Sequence, residues 1–368
     1  MNYTETNHPG FTFQNPAIAS NDLAVYNARN IPFRSHGLYK PETPGLFRRM
    51  PEEAASKVSE KVLRLSTNPA GARLRFQTDS DYIAVGAIYP PIEYVSPCSA
   101  ALSNAGAFCF DLYTDDQFRS VLHPTTVIQD GNIPRFHIEG NQFEAAYNLG
   151  SQKKRTITLH FPSFVNISQV YVGVRNGSML EPSEPYRNEK PVVFYGSSIT
   201  QGACASRPGN IYQNILSRRL HFDYLNLGFS GSAKAEDAII DYLCTLDMCM
   251  LVFDYDHNAS SPENLEKTHY PALRKLRTAH PDIPILLLSR PNLCGGKEQV
   301  LQRIAVIEKS YRKLKELGDE KLHFINGQEI LASYDSEMVT LDDTHPTDFG
   351  FFCMAEAIQK VMSLYFPA

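Results

Sequence analysis

The amino-acid sequence predicts an α/β protein in two parts, a β-sandwich of the jelly-roll kind over residues 1–185 and a three-layer α/β/α unit over residues 190–368. Two periodicities and one shift of composition carry that expectation. From about residue 20 to about residue 180, apolar and polar residues alternate, as in Ala72, Leu74 and Phe76 against Arg73, Arg75 and Gln77. Ile157, Leu159 and Phe161 alternate in the same way with Thr156, Thr158 and His160. Successive side chains of a strand point to opposite faces, so alternation marks strands with one face on a core. Turn-forming clusters at residues 77–81 and 129–132 separate such runs, and residues 51–65 form the one good helix pattern of this part. Residues 181–190 are polar and carry Pro182 and Pro185, the composition of a linker. Beyond Pro191, near-continuous apolar runs at 192–195, 224–227, 248–253, 283–288 and 322–325 alternate with helical patterns, most clearly at 299–317. Strands that are apolar throughout are buried on both faces, as in a parallel sheet between two helical layers.

Composition excludes several classes. Hydrophobic residues make up 43% of the 368 and charged residues 20%, which suits large cores and not a disordered chain. A net charge of −5 lacks the basic excess that a phosphate backbone demands, so no nucleic-acid partner is expected. No run is long enough to span a bilayer. Residues 1–13 have neither a basic start nor an apolar stretch, so no secretory signal is read there and a cytoplasmic location is expected. The cysteines Cys98, Cys109, Cys204, Cys244, Cys249, Cys294 and Cys353 show no CxxC spacing and are read as reduced core thiols. No Cys and His cluster has zinc-ligand spacing, and no metal or cofactor is expected.

Chemistry concentrates at two places. Ser198 follows the first apolar run of the second part, at the carboxyl end of a buried strand, where ligands gather in open parallel sheets. Far downstream, Asp342 and His345 stand three residues apart. A serine hydroxyl becomes a useful nucleophile when a base takes its proton, and the base works best when a carboxylate fixes its tautomer. Ser198, His345 and Asp342 supply those parts. Asp343 is expected at the surface, Asp348 as the cap of the last helix, and His257 as a structural histidine at a strand end.

The stretch Gly196, Ser197, Ser198, Ile199, Thr200, Gln201, Gly202 resembles the first block of the SGNH hydrolases, or GDSL-like esterases, whose nucleophile is the serine of a Gly-Asp-Ser turn. Leu227, Gly228, Phe229, Ser230 and Gly231 look like the second block, where a glycine amide faces the oxyanion. Asp256, His257, Asn258 and Ala259 stand where the third block supplies an asparagine, and the Asp342 to His345 spacing is similar to the fifth block. The resemblance covers Pro191 to the end of the chain. It implies a flavodoxin-like α/β/α domain, a Ser198, His345 and Asp342 triad, and an oxyanion hole built from the Ser198 and Gly228 N–H groups with the Asn258 amide. Ser197 replaces the usual aspartate, and the third block lacks its glycine before and its acid after Asn258.

The N-terminal part is similar to the β-rich domain of some bacterial SGNH esterases named for Gly-x-Asp-Leu-Tyr, through Leu46 to Pro51, Arg75 to Ser80 and Phe110 to Tyr113; Cys109 takes the glycine position. Enzymes of this layout deacetylate plant polysaccharides or oligosaccharides, so a carbohydrate O-acetyl esterase acting on a small-molecule or oligosaccharide ester is implied. Arg207, Asp111 and Tyr113 are candidate substrate contacts, with the β-rich part forming one wall of the cleft. A general short-chain or lipase-like acyl hydrolase is the alternative. A metal-dependent hydrolase built from Asp342, Asp343, His345 and Asp348 would leave Ser198, Gly228 and Asn258 without a role. A non-catalytic carbohydrate-binding protein would have 19 tyrosines to draw on but no tryptophan, the favoured sugar-stacking residue.

Overall fold

The computed structural model describes residues 10–90, 102–124, 127–130, 133–136, 141–291, 296–331 and 333–367. The alternating half forms strands β1 (Leu23–Asn27), β2 (Arg34–His36), β3 (Arg73–Thr78), β4 (Tyr82–Ile88), β5 (Phe110–Thr114), β6 (Gln117–Leu122), β7 (Val127–Asp130), β8 (Ile133–Phe136), β9 (Gln142–Asn148), β10 (Arg155–His160), β11 (Gln169–Arg175) and β12 (Leu180–Pro182). One sheet runs β1-β11-β4-β9, the other β12-β3-β10-β5-β6 with β2 also on β3, and β7 pairs with β8. Leu74, Phe76, Leu112, Ile157 and Leu159 of one sheet meet Ile83, Val85, Phe143 and Val172 of the other in one buried cluster. That is the core of a sandwich. The expected alternation holds in register, with Leu74 opposite Leu159 and Phe76 opposite Ile157.

The polar faces of β3 and β10 depart from expectation. Arg73, Arg75, Thr158 and His160 are buried rather than half-exposed, because the second half of the chain packs on that face. The expected helix over 51–65 is two helices, Glu52–Val58 and Glu60–Leu65, broken where Ser59 turns extended and its Oγ accepts from Val62 N at 3.1 Å. The expected linker is not a loose tether. It begins as β12 on β3, and Asn188 then exchanges hydrogen bonds with the Asp223 backbone, its Oδ1 accepting from Asp223 N at 2.7 Å. The turn residues Gly131 and Asn132, and the cysteines Cys98 and Cys294, lie outside the described residues.

In the second half, β13 (Val192–Gly196), β14 (Tyr224–Gly228), β15 (Met250–Asp254), β16 (Ile285–Leu288) and β17 (Leu322–Ile325) form a parallel sheet of order β14-β13-β15-β16-β17. Val193, Tyr195, Leu251 and Phe253 face one helical layer, which contains Asp237–Thr245, Pro262–Ala279 and Lys297–Glu316. Val192, Phe194, Met250 and Val252 face the other, which contains Tyr212–Leu220 and Asp348–Met362. The chain leaves β13 for β14 on one side and returns to β15 on the other, so the crevice at the end of β13 is a topological switch point. Met50, Ala55, Val62 and Leu65 join the first of these cores, so the two short helices of the N-terminal half help to cover the parallel sheet. Among the described residues no helix is long and apolar enough to cross a membrane.

Strand β14 is the edge of that sheet, and an uncovered edge leaves a row of unpaired carbonyls. Two arginines of the N-terminal half cover it. Arg49 Nη1 donates to Asn226 O and Gly228 O, both at 2.7 Å, and Arg73 Nη2 donates to Tyr224 O at 3.3 Å. Arg49 also donates through Nε to Asn68 O and through Nη2 to Leu65 O, each at 2.7 Å. It is wholly buried, and burial lowers its pKa to about 9, still above neutrality. Buried carbonyls that lose their donor cost about 1–3 kcal/mol each. Arg49→Met is therefore expected to lower unfolding free energy by roughly 3 kcal/mol or more in urea titrations; a loss below about 1 kcal/mol would mean that the edge carbonyls do not depend on this guanidinium.

Candidate active site

The turn after β13 is dictated by its glycines. A Cβ on Gly196 would stand 2.0 Å from Thr200 Oγ1 and 2.4 Å from Asp254 O, so only glycine lets the short helix Ser198–Gln201 start directly at the strand end. Ser197 caps that helix, its Oγ accepting from Ile199 N at 3.2 Å. A cap needs a side-chain oxygen, which serine supplies in place of aspartate. Gly202 ends the helix at φ +103°. The helix is held from below as well, since Thr200 O accepts from Asn226 Nδ2 and Gln213 Nε2, both at 2.7 Å.

This geometry brings Ser198 to the imidazole of His345, with Oγ 2.8 Å from Nε2. Asp342 Oδ2 lies 2.8 Å from His345 Nδ1, and Asp342 Oδ1 accepts from His345 N at 2.7 Å and Thr344 N at 3.2 Å. The three-residue spacing thus lets one carboxylate grip both the ring and the backbone of the same histidine. Burial by itself would raise the Asp342 pKa, but the His345 backbone and ring and the Thr344 N–H outweigh it and hold the carboxylate below its usual range. Ser198 and His345 are buried, whereas the Asp342 side chain is 41% exposed. Asp343 is exposed, in a left-handed turn at φ +58°.

The oxyanion-side residues divide. Asn258 Oδ1 accepts from Ala233 N at 3.2 Å, which leaves its NH2 without a partner among the described residues. The Ser198 N–H likewise has no backbone acceptor among them. Gly228 does not fit the role expected of it, because its N–H donates to Asn226 Oδ1 at 2.9 Å. A Cβ there would stand 2.2 Å from Gln201 N, so Gly228 is a packing glycine beneath the Ser198–Gln201 helix. Three residues on, Gly231 sits in a turn at φ +65° with its N–H unbonded among the described residues. Both glycines were visible in the second block. The turn sequence Phe-Ser-Gly, rather than the strand tail, was the signal for the one with a free amide. His257 stands in the turn Asp256–Asn258 that follows β15, with its Nε2 buried without a partner among the described residues. Burial, with Arg290, His345 and Arg303 nearby, pushes the His257 ring pKa well below its usual value.

The expected substrate contacts meet one another instead. Asp111 is fully buried and Tyr113 nearly so, which removes both from any cleft. Arg207 Nη1 donates to Asp111 Oδ2 at 2.9 Å and to Tyr113 OH at 2.6 Å, and Gly209 N donates to Asp111 Oδ2 at 2.7 Å. The guanidinium lies 3.9 Å over the Phe118 ring. The Asp-Leu-Tyr motif therefore fastens the loop after the Ser198–Gln201 helix to the β-sandwich. Asp348 is not the cap of the last helix either; Thr347 Oγ1 accepts from Gly350 N at 3.2 Å. Asp348 instead takes Ser206 N at 2.8 Å and Asn210 Nδ2 at 2.7 Å, holding the same loop from the other side. Among the described residues no group of three or more His, Cys, Asp or Glu is placed to hold a metal ion.

One buried acid escaped the sequence reading because it closes an apolar run. Asp254, at the end of β15, is 2% exposed; its Oδ2 accepts from Thr200 Oγ1 at 3.3 Å and its Oδ1 has no partner among the described residues. Burial, with Asp256 beside it, pushes its pKa up to about 8, so the carboxyl is largely neutral at pH 7. An unfolded aspartate titrates near about 3.9. Between these values the folded state holds a proton that the unfolded state has released, so this group's contribution to stability falls as pH rises from about 4 to about 8 and is flat above. Asp254→Asn is expected to remove that slope. Urea unfolding at pH 5, 7 and 9 should show the variant gaining on the wild type as pH rises; parallel curves would mean that the carboxyl is ionised in the fold.

Residues 189–363 match the GDSL-like lipase/acylhydrolase family, and residues 23–180 match the N-terminus of SGNH-hydrolase-type esterases. No curated protein sequence matches the chain. Among solved structures, a protein described as a GDSL-like lipase from Bacteroides ovatus is similar over 93% of this chain and 97% of its own, at 25% identity and a TM-score of 0.76. The salicylyl-acyltransferase SsfX3 of a tetracycline biosynthetic pathway is similar over 94% and 98%, at 16% identity and a TM-score of 0.71. A family two carbohydrate esterase from Clostridium thermocellum, in complex with cellohexaose, is similar over 80% and 93%, at 15% identity and a TM-score of 0.56. The last two likenesses are of fold. With the two family matches falling in order along the sandwich and the parallel sheet, residues 189–363 are a GDSL-like, or SGNH, acylhydrolase domain, residues 23–180 are the N-terminal part of SGNH-type esterases, and the protein is a carboxylic ester hydrolase.

Proposed function

We propose that this protein is a serine esterase that removes short acyl groups, acetyl foremost, from carbohydrate hydroxyls, with Ser198 as nucleophile, His345 as base and then acid, and Asp342 as the orienting carboxylate. The observation that carries this reading is the hydrogen-bonded chain from Ser198 Oγ through the His345 ring to Asp342. Ser198 Oγ attacks the acyl carbon as His345 Nε2 takes its proton, and Asp342 stabilises the resulting imidazolium. His345 then returns the proton to the departing sugar hydroxyl, leaving an acyl-serine. Water, activated by the same imidazole, releases the acid. Every step uses side chains of the protein and water, so no cofactor is required. The Ser198 N–H, the Gly231 N–H in place of Gly228, and the Asn258 NH2 are the donors assigned to the oxyanion, and loss of one such donor typically costs about 100- to 1000-fold in rate.

The carbohydrate part of the proposal is supported by the fold shared with a carbohydrate esterase bound to cellohexaose. Release of acetate from acetylated oligosaccharides, measured beside nitrophenyl esters of increasing length, is expected to be fastest for the shortest acyl groups. Rates that climb toward long chains would move the assignment to lipase-like chemistry.

Ser198→Ala is expected to keep the fold and to lower turnover roughly 10⁴-fold or more, with His345→Ala comparable. Asp342→Asn should retain more activity than either, and Asp343→Asn should stay near wild type. A serine-directed phosphonate should label Ser198 by mass spectrometry. Label on Ser197, or greater damage from Asp343→Asn than from Asp342→Asn, would overturn these roles.

A further inference from the structure

We infer that Gln201 is a positioning residue for the oxyanion-binding amides, and that the N-terminal half of the chain acts on turnover through it. The inference rests on the roles proposed above for Ser198 and Gly231. Gln201 lies three residues beyond Ser198 on the nucleophile helix and is fully buried. Its Oε1 accepts from Ser230 N at 3.0 Å, and its Nε2 donates to Ser163 O at 3.2 Å and to Asn68 Oδ1 at 3.3 Å. Ser230 N is a donor and Ser163 O an acceptor, so the amide has one satisfied orientation. One side chain thereby joins the nucleophile helix, the turn that carries Gly231, and two segments of the sandwich half.

The anchor is itself held. Asn68 Nδ2 donates to Asn166 Oδ1 at 2.9 Å, and Asn68 O accepts from Arg49 Nε at 2.7 Å. Arg49 reaches back to Gly228 O at 2.7 Å, two residues before Ser230. The contacts form a closed ring, from Gln201 to Asn68, to Arg49, to Gly228, to Ser230 and back to Gln201. Gly228 leaves it no slack, since a Cβ there would stand 2.2 Å from Gln201 N. The Gly231 amide follows directly on the anchored Ser230, and glycine at φ +65° has no side chain of its own to restrain it. Donors stabilise an oxyanion to the extent that they are already aimed and need not reorganise. Gln201 supplies that aim.

The test reads kcat per active site rather than bulk activity. Wild type, Gln201→Met, Gln201→Glu and Asn68→Ala are titrated with a serine-directed phosphonate, and kcat per titrated serine, KM for a short ester and the affinity of a boronic acid that forms a tetrahedral serine adduct are measured. Gln201→Met is expected to lower kcat per titrated serine by about 10- to 100-fold, below the cost of removing a donor outright, with KM within about 3-fold. Boronic acid affinity should fall in parallel with kcat. Gln201→Glu keeps the acceptor for Ser230 N and should recover part of the loss. Asn68→Ala lies in the other half of the chain and removes the acceptor for Gln201 Nε2 together with the Asn68 to Asn166 bond, while Gln201 keeps Ser230 N and Ser163 O. It should lower kcat in the same sense by a smaller factor, and it serves if Gln201→Met does not fold. A merely structural glutamine would lower the titratable fraction or the Tm while kcat per titrated serine stays within about 2-fold of wild type, and that result overturns the inference even if Ser198 is labelled. Wild-type protein that the phosphonate leaves unlabelled at Ser198 would overturn the nucleophile assignment and this inference together.

Discussion

The free edge of the parallel sheet is the constraint on which the rest of this molecule depends. Among the described residues strand β14 pairs with β13 alone, and on its other side the carbonyls of Tyr224, Asn226 and Gly228 would be buried without strand donors. Arg73 and Arg49 supply them. A guanidinium suits the task because its donors fan out in one plane and several acceptors can share them. Arg49 is the more unusual of the two. It is a fully buried cation whose four hydrogen bonds all go to backbone carbonyls, Leu65, Asn68, Asn226 and Gly228, so the dipoles of two segments stand in for a carboxylate.

Covering the edge also sets the chemistry. The end of β14 leads into the turn with Ser230 and Gly231, and the neighbouring end of β13 leads into Ser198, so whatever fixes one strand end fixes the approach of the other. Gly196 and Gly228 allow the Ser198–Gln201 helix to lie against both ends without a side chain between them. The loop after that helix is pinned from the sandwich by Asp111 and from the last helix by Asp348. The sandwich is thus an extension of the hydrolase framework, lending it two helices, an edge cover and a loop anchor.

The site itself needs little beyond these supports. Asp342 holds its histidine through the ring and the backbone at once, which is possible because the two residues are neighbours in a turn and not brought from distant elements. Ser198 and His345 are 147 positions apart and meet only because β13 and the last helix flank the same end of the sheet. A buried acid and an imidazole lie just behind: burial raises the Asp254 pKa to about 8 under the Ser198–Gln201 helix and lowers that of His257 beside Asn258.

Much of this was legible in the sequence, and the pattern of success has a physical cause. The strands of the parallel sheet are mostly apolar, since helices cover both faces, and their runs stand out at 192–195 and 283–288 without any tertiary information. Ser198, Asp342 and His345 carry reactive groups in short, ordered motifs, so their residue types and spacing announced them. Local periodicity could not reveal what the polar faces of β3 and β10 touch. Arginines and histidines that alternate with leucine look like a solvated face, and only the docking of the second half makes them buried partners. Nor could it choose between Gly228 and Gly231, because a glycine kept for close packing and a glycine kept for a positive φ are the same letter. Asp111, Tyr113 and Arg207 were singled out by motif and by loop, yet their meaning, a clasp in place of a substrate contact, was decided by which surfaces the chain brings together. The sequence by itself determined the strands and the three side chains that meet at their ends, because those follow from residue types within a few positions. The tertiary structure decided which amides remain free and which charges are buried, because both depend on how segments far apart along the chain pack, as with Arg49 and Gly228, 179 positions apart.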